Sequence, residues 1–266
     1  MKKVTFAALI LCAALIIGVT TLGCAAAFKR QNTVVGIIGA MDIEVEGLKS
    51  ALKNPRAKTV TGIEFVGGTI GGVNVVIAKC GIGKVQAAMC AAIMIGEFNA
   101  KKIINTGVAG AVYSELLIGD VVVSSDTCQY DIEHTATGEP LGKLPDIDTV
   151  YFPADKTLIR LAEDAGKSVL KNNKLYVGTI ATGDRFVADK ETKKFIRDNF
   201  GGYAAEMEGG AIGAVCYLNK IPYVVIRAVS DNADETAGGE YEFSAESAAQ
   251  NSIAIVKEML KNLRQL

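Results

Sequence analysis

The sequence has no tryptophan, a single histidine and only 5 prolines among its 266 residues. Its 28 basic and 29 acidic residues nearly balance, so the formal net charge is -1. A protein without a basic excess neutralises few phosphates, which argues against nucleic-acid binding through bulk charge. Apolar residues make up 50% of the chain. That share excludes a disordered chain and leaves enough apolar material for a sizeable core.

The cysteines do not form a metal-binding pattern. Six are present, none stands in a Cys-x-x-Cys pair, and the only histidine is His134. We therefore expect no zinc site, and neither a metal nor another cofactor. Four cysteines fall on predicted core elements, where a cysteine is more often a buried thiol than half of a disulfide. They are Cys80, Cys90, Cys128 and Cys216.

The first 28 residues contain no acid. Lys2 and Lys3 precede an apolar run that extends to Leu22, which is typical of a secretory signal. The run ends in Thr-Leu-Gly-Cys, which resembles a bacterial lipobox. This pattern predicts that residues 1–23 are removed and that Cys24 is lipidated. The mature chain would then carry a net charge of -3, because the two lysines are the only charges lost.

Two other interpretations of this segment stay open. The alanines at 25–27 offer an ordinary cleavage site, which would give a secreted or periplasmic protein. The apolar run is also nearly long enough to remain as a transmembrane anchor. All three interpretations place the protein outside the cytoplasm. We expect a membrane-anchored lipoprotein with a short tether at 24–33 and a folded domain at 34–266.

Strand and helix signals alternate along the folded domain. Val34–Gly39 is a continuous apolar run that is typical of a buried strand, and Asp42 can cap a helix after it. The last helix is predicted from about Ser244, with an apolar stripe along one side. A polar stretch at 127–153 predicts a long functional loop. The alternation predicts an α/β sandwich with helices on both faces of one sheet.

Four motifs stand at junctions where a predicted strand ends. They read GAMDIE from residue 39, CGIGK from residue 80, AEMEGG from residue 205 and RAVSD from residue 227. Each alone is weak, because glycine-rich turns between strands and helices are common and an acid can simply begin a helix. Together they place Glu44, Glu208 and Asp231 at the ends of nearly apolar strands. Carboxylates there are too costly for stability alone, which indicates a functional site.

These motifs resemble those of the bacterial 5′-methylthioadenosine/S-adenosylhomocysteine nucleosidases, of the purine nucleoside phosphorylase superfamily. The matching stretches are GIIGAMDIEV, CGIGKVQAA, INTGVAG, GDRF, AEMEGGAI and RAVSDNAD, in the family's order between residues 36 and 234. The resemblance implies a three-layer α/β/α sandwich around a twisted mixed sheet. It also implies a homodimer that hydrolyses the bond between adenine and ribose.

The resemblance implies roles on the adenine side of the site. Asp231 protonates N7 of adenine, and Ser230 orients Asp231. Phe186 stacks on the base, and backbone atoms at Val187 hold its edge. Glu44 positions and deprotonates the attacking water.

It likewise implies roles on the sugar side. Glu208 binds the ribose hydroxyls and Met207 packs against the sugar. Met41 and Tyr241 line the sugar and its 5′ side. The remaining implied substrate-site positions are Ile82, Val108 and Arg227, of which Arg227 supports the acids.

The chemistry of the reaction favours these residue types. Adenine leaves poorly as an anion, so an acid that keeps its proton at neutral pH is needed near N7, and burial of Asp231 can provide one. The ribose becomes an oxocarbenium-like cation, which the carboxylates of Glu208 and Glu44 stabilise. A phosphorylase would need arginine against the sugar's lower face, whereas this chain offers Glu44 there. Water is therefore the expected nucleophile.

The 5′ substituent of the substrate is the least determined feature. The loop at 127–153 is more polar than in the family, and Val108 stands where the family often has serine. One alternative is a hydrolase for another adenine nucleoside, such as adenosine or an aminofutalosine. Another is a non-catalytic nucleoside-binding lipoprotein, although a binder needs no water-activating acid. We expect His134 to be an exposed loop residue.

Overall fold

The computed structural model describes residues 33–264. The predicted signal at 1–23, the lipidation of Cys24 and nearly all of the tether lie outside these residues. Within the described part, no helix is both long and apolar enough to cross a membrane.

This part of the chain contains ten strands, six α-helices and one short 3-10 helix. The strands are β1 (Val34–Gly39), β2 (Lys53–Val60), β3 (Ile63–Ile70), β4 (Val73–Lys79), β5 (Ala100–Ala111), β6 (Val121–Gln129), β7 (Phe152–Pro153), β8 (Leu175–Thr182), β9 (Gly202–Glu206) and β10 (Tyr223–Asp231). The helices are α1 (Asp42–Lys49), α2 (Lys84–Gly96), α3 (Lys156–Val169), α4 (Lys190–Phe200), α5 (Gly209–Asn219) and α6 (Ala237–Leu263), and the 3-10 helix is Thr135–Thr137.

The ten strands form one mixed sheet. Strand β1 pairs in parallel with β4 and β5, and β5 pairs in parallel with β10. Strand β10 also pairs with β6, and the path then continues through β8 and β9 back to β5. One half of the sheet is therefore a closed ring of five strands. The other half is an open extension in the order β1, β4, β3, β2, and the short β7 pairs with β6 beside the ring.

Helices cover both faces of the sheet. Alternate residues of β1 point to opposite faces, so Ile37 lies in the cluster that α1, α3 and α6 cover, and Ile38 lies in the cluster that α2 and α5 cover. Helix α4 packs against β8 and β9. Residues Ile253, Val256 and Leu260 of the predicted stripe on α6 are buried. The predicted α/β sandwich around a mixed sheet is confirmed.

The boundaries of some elements differ from the prediction. Helix α6 begins at Ala237, about seven residues before Ser244, because its first two turns are mostly polar and lack the apolar stripe. Glycine pairs often interrupt a strand, but Gly67 and Gly68 both lie inside β3. A Cβ atom on Gly68 would lie 2.9 Å from the Lys53 carbonyl oxygen, so this glycine permits a close approach of β2.

The four cysteines of the folded domain are buried and unpaired, as predicted. Cys80, Cys90, Cys128 and Cys216 are free thiols. Burial raises the pKa of each of these thiols, and it raises the pKa of Cys90 to about 12. They are therefore packing groups rather than reactive nucleophiles.

Candidate active site

A cleft opens where β1, β5 and β10 end, and the beginnings of α1 and α5 close it from two sides. The carboxyl ends of parallel strands meet at one edge of a sheet, which is where sites form in open α/β folds. All twelve predicted site residues line this one cleft. They are Met41, Glu44, Ile82, Val108, Phe186, Val187, Met207, Glu208, Arg227, Ser230, Asp231 and Tyr241.

Glu44 is held rigidly in the first turn of α1. Its Oε2 accepts hydrogen bonds from the backbone N–H groups of Ala40 at 2.6 Å and Met41 at 3.0 Å. Its Oε1 accepts one from the N–H of Val108 at 3.0 Å. Burial raises the pKa of Glu44, and Arg227 and the three N–H donors oppose that rise. The carboxylate therefore has a fixed position at the junction of β1 and β5.

Arg227 is fully buried on β10 and collects three carboxylates around one guanidinium group. Its Nη2 contacts Glu206 and lies 3.1 Å from Oε2 of Glu208, and its Nη1 lies 3.8 Å from Oε1 of Glu44. Burial alone would lower the pKa of Arg227, but the carboxylates raise it, so the group stays charged. One cation cannot balance three anions, and the cluster therefore favours retention of a proton on one of the acids.

Glu208 is an acid of this cluster whose pKa is raised. Burial raises the pKa of Glu208 to about 7, and the neighbouring carboxylates of Glu206 and Glu44 act in the same direction. Arg227 and the N–H of Gly83, which donates to Oε1 at 2.9 Å, act in the opposite direction. Gly83 has a φ of +103°, which favours glycine over other residues.

Removal of the Glu208 carboxylate should change how stability depends on pH. The pKa of Glu208 is raised on folding, so its contribution to stability is present below its unfolded pKa near 4.5 and is lost as the pH rises through about 7. Glu208→Gln should remove that part of the decline, on the order of 1 to 3 kcal/mol of unfolding free energy. Urea unfolding at several pH values measures the slope. Glu64→Gln on β3, an exposed site, is the control, and an unchanged slope in the Glu208 variant would contradict the assignment.

Glu206 is a site residue that the sequence analysis missed. It ends β9, and its Oε2 accepts hydrogen bonds from the N–H groups of Glu208 at 3.1 Å and Gly209 at 2.8 Å. The hydroxyl of Thr182 donates to its other oxygen. Glu206 therefore holds both the beginning of α5 and the guanidinium of Arg227. Its place at the end of an apolar strand, two residues before Glu208, was the signal available in the sequence.

Asp231 lies at the end of β10 in the same cleft. Its Oδ1 accepts a hydrogen bond from the N–H of Ala233 at 2.9 Å, and its Oδ2 accepts one from the hydroxyl of Ser230 at 2.8 Å. Burial raises the pKa of Asp231, while these two hydrogen bonds lower it. The net rise lets this carboxyl group keep a proton at a higher pH than a free aspartic acid does.

Two aromatic rings stand at the mouth of the cleft. Phe186 is 46% exposed, and its ring centroid lies 5.6 Å from that of Tyr241 in an edge-on arrangement. The Tyr241 hydroxyl lies 3.1 Å from the sulfur of Met41. Val187, next to Phe186, is buried. A planar ligand could therefore stack at this opening with its edge against the backbone.

Polar contacts fix the loops around the mouth. Asp184 accepts a hydrogen bond from the N–H of Lys84 at 2.8 Å, and its own N–H donates to Asp131 at 3.0 Å. The ammonium group of Lys84 lies 2.6 Å from the Asp131 carboxylate. These contacts join the beginning of α2 to the loops that follow β6 and β8. His134 is exposed and does not line the cleft, as expected.

Residues 33–264 contain no group of three or more His, Cys, Asp or Glu side chains that could hold a metal ion.

Comparisons with known proteins match almost the whole described part. A model of the Phosphorylase superfamily matches residues 34–261. A 5′-methylthioadenosine/S-adenosylhomocysteine nucleosidase of Psychromonas ingrahamii is 40% identical over 230 residues, which are 86% of this chain and 99% of the relative.

Two solved structures show the same architecture. The nucleosidase of Neisseria meningitidis in complex with methylthio-immucillin-A is 38% identical with a TM-score of 0.83, and the match covers 86% of this chain and 99% of that one. The nucleosidase of Colwellia psychrerythraea in complex with adenine is 39% identical with a TM-score of 0.84, and the match covers 88% and 96%.

Proposed function

Because the chain belongs to the phosphorylase superfamily and, within it, to the 5′-methylthioadenosine/S-adenosylhomocysteine nucleosidases, we propose that it hydrolyses the N-glycosidic bond of both nucleosides. The products are adenine and the corresponding 5-thioribose derivative. One observation carries the proposal for this chain: a single cleft holds both a fixed carboxylate, Glu44, and a carboxyl group with a raised pKa, Asp231. That pair supplies a base for water and an acid for the leaving group.

The proton that adenine needs comes from Asp231. As the bond between the sugar and adenine breaks, its electron pair moves to the base, and the Asp231 proton moves to N7. Adenine therefore departs as a neutral molecule. Ser230 and Ala233 hold the two carboxyl oxygens, so the proton has a fixed direction of transfer.

The water molecule that replaces adenine is activated by Glu44. The water oxygen bonds to the sugar carbon, and one water proton moves to the Glu44 carboxylate. Three backbone N–H groups fix both oxygens of Glu44, so little reorganisation is needed during the step. The ionised carboxylates of the cluster also stabilise the positive charge that develops on the sugar.

The charge of the cleft favours water over phosphate as the nucleophile. Arg227 is occupied by Glu206 and Glu208, and it also donates to Asn105 at 2.7 Å. Arg185 lines the cleft as well, but its guanidinium is exposed and bound to Asp189 at 2.7 Å. A phosphate dianion at the sugar would lie beside carboxylates, and residues 33–264 contain no other buried arginine to bind it.

A substrate panel tests this function. Protein that lacks residues 1–24 is incubated with methylthioadenosine, S-adenosylhomocysteine, adenosine and an aminofutalosine, with and without phosphate, and free adenine is measured. We expect release from the first two, independent of phosphate, with a free sugar product. A sugar 1-phosphate product would identify a phosphorylase. Faster release from adenosine or an aminofutalosine would mean that the enzyme acts on another adenine nucleoside. No adenine from any substrate would identify a binding protein.

We further propose that the enzyme works outside the cytoplasm as a lipid-anchored salvage enzyme. The support is the sequence of the leader, with Lys2, Lys3, an apolar run and a lipobox-like Cys24. Such an enzyme would release adenine from nucleosides that arrive from outside the cell. The multiple acyl chains of a bacterial lipoprotein would hold it stably, whereas a single chain binds weakly.

Cell fractionation tests the anchor. Cys24→Ala should move the protein from the membrane fraction to the soluble fraction, because the lipid attachment site is lost, and adenine release should be unchanged. Cys12→Ala, in the same leader, is the matched control and should stay with the membrane. Wild-type protein in the cytosol that retains residues 1–23 would overturn both the export and the salvage role.

We also propose a homodimer. Apolar side chains at the beginning of α2, next to the cleft, are exposed: Val85 by 78%, Ile82 by 55% and Met89 by 38%. Contiguous exposed apolar side chains are typical of a protein interface. Light scattering of the purified domain should give twice the mass of one chain, and a monomer at all concentrations would contradict the proposal.

A further inference from the structure

A group of basic side chains lies at the edge of the sheet opposite the cleft. We call it the basic edge. It consists of Lys53, Lys101, Lys102, Lys220, Lys261 and Arg264. None of these six residues lines the cleft, and the mechanism does not use them.

Three of these bases are grouped around a glycine turn. Lys53, Lys261 and Arg264 line a shallow depression together with Gly71 and Gly72. A Cβ atom on Gly72 would lie 3.1 Å from Cδ of Arg264, and one on Gly71 would lie 3.5 Å from Cγ of Lys261. The turn between β3 and β4 therefore packs directly against the stems of the basic side chains and keeps them together at the surface.

The other three bases continue the same edge across the sheet. Lys102 pairs with Val35 at the beginning of β1, and Lys101 precedes it on β5. Lys220 follows the last residue of α5 as its C-cap and lies two residues before Pro222. The Pro222 carbonyl oxygen accepts a hydrogen bond from the N–H of Ile103 at 3.0 Å. From β2 to β5 the sheet crosses four strand spacings, which is roughly 19 Å. The basic edge is thus far wider than one phosphate ion.

Most of this positive charge is uncompensated. Lys261 lies 2.6 Å from the Glu258 carboxylate. Within residues 33–264, the other five bases have no acidic partner within 4.0 Å. The opposite edge holds the buried acids of the cleft. The basic edge therefore carries a net positive charge within a protein whose total charge is nearly neutral.

The polypeptide enters the folded domain at the basic edge. Val34, the first residue of β1, pairs with Asn74 and with Ala100, both at this edge. The ten residues at 24–33 span at most roughly 35 Å when fully extended. An anchor at Cys24 would therefore hold Val34, and with it the basic edge, within roughly 35 Å of the bilayer.

We propose that the basic edge binds the anionic headgroups of a phospholipid membrane. The proposal rests on the membrane attachment proposed above. The phosphates of a bilayer are spread over a surface, so several of them can bind bases that are themselves spread over roughly 19 Å. Each base next to the membrane strengthens this binding. The contact orients the domain so that nucleosides reach the cleft from the aqueous side.

Vesicle binding by the unanchored protein tests the surface without the lipid. Residues 25–266 suffice, because relatives that consist almost entirely of the matched region fold as complete proteins. Co-sedimentation is measured with phosphatidylglycerol vesicles and with phosphatidylcholine vesicles, at low and at high salt. We expect binding to the anionic vesicles only, and its loss at high salt.

Charge variants locate the binding surface. The triple variant Lys53→Gln, Lys101→Gln, Arg264→Gln should bind anionic vesicles about 100-fold more weakly, at roughly fivefold per base. The control triple variant Lys190→Gln, Lys194→Gln, Arg197→Gln removes the same charge from exposed positions on α4 and should bind as the wild type does. All three proteins should release adenine at the same rate, since none of these residues lines the cleft.

Several results would overturn the proposal: equal binding to both vesicle types, an equal loss in the control variant, or tighter binding to duplex DNA or inorganic phosphate than to anionic vesicles. The failures remain distinguishable. Absence of adenine release would contradict only the nucleosidase function. Cytosolic protein in the fractionation would contradict the anchor, and absence of binding to anionic vesicles would contradict the role of the basic edge.

Discussion

Glu44→Gln should lower the turnover of methylthioadenosine by about 100-fold or more while substrate binding changes little. A neutral amide cannot take the proton of the attacking water. Both oxygens of Glu44 accept hydrogen bonds from backbone N–H groups, so the glutamine must also turn one NH2 group towards a donor. The fold should survive this change, because the substitution removes a buried charge whose ionised form is costly.

Steady-state kinetics measures the effect as a fall in kcat with a nearly constant KM. Glu46→Gln is a matched control, since Glu46 lies on the same helix with its side chain 57% exposed and pairs only with Lys49. The control should turn over substrate as the wild type does. Thermal unfolding of the Glu44 variant separates loss of chemistry from loss of fold. Near-normal turnover in a folded Glu44→Gln variant would contradict the proposal that Glu44 activates the attacking water.

Asp231→Asn should abolish turnover of adenine nucleosides, with a loss of at least about 100-fold. Asparagine can accept the hydrogen bond of Ala233 through its oxygen, and the Ser230 hydroxyl can turn to accept one from its NH2 group. It has no acidic proton to give to N7. A riboside whose leaving group departs as a stable anion, such as a nitrophenolate, should be hydrolysed much closer to the wild-type rate. Equal loss on both substrates would mean that Asp231 supports the structure instead of acting as the acid.

The wild-type pH profile gives an independent test of the same residue. Burial raises the pKa of Asp231, and the reaction needs its protonated form. Turnover should therefore fall as the pH rises through that pKa. Asp164→Asn is the matched control, since Asp164 pairs with Lys167 at the surface of α3 and does not line the cleft. The control should retain both turnover and the descending limb of the profile.

The local parts of the fold were predictable because their signals are local. The run Val34–Gly39 ends in a glycine before an acid that can begin a helix, and β1 and α1 begin where that pattern places them. The first turns of α6 were missed because Ala237 begins a polar stretch, and only the core-facing stripe further on marks a helix. The closure of β5, β10, β6, β8 and β9 into a ring depends on pairing between distant segments, which periodicity does not encode.

The site was predictable as a set of positions but not as a network of charges. Strand ends with acids identified Glu44, Glu208 and Asp231, and all three line the cleft. The same rule should have selected Glu206, but its contacts with Arg227 and with the beginning of α5 depend on packing across β9 and β10. Three carboxylates share the one buried guanidinium of Arg227, and only the tertiary structure shows this arrangement.

The closed ring of strands should also make the catalytic groups move more slowly than the residues at the mouth of the cleft. Strand β5 is hydrogen-bonded to β1, β9 and β10 at once, so Val108, Glu206 and Asp231 cannot move apart unless ladders on several sides break together. Phe186 and Tyr241 lie outside that ring. Amide hydrogens of the ring should exchange only through large-scale opening, whereas those at the mouth exchange through local fluctuation. A nucleoside that enters the cleft therefore passes two aromatic side chains that can move locally, while the groups that perform the chemistry remain where the ladders hold them.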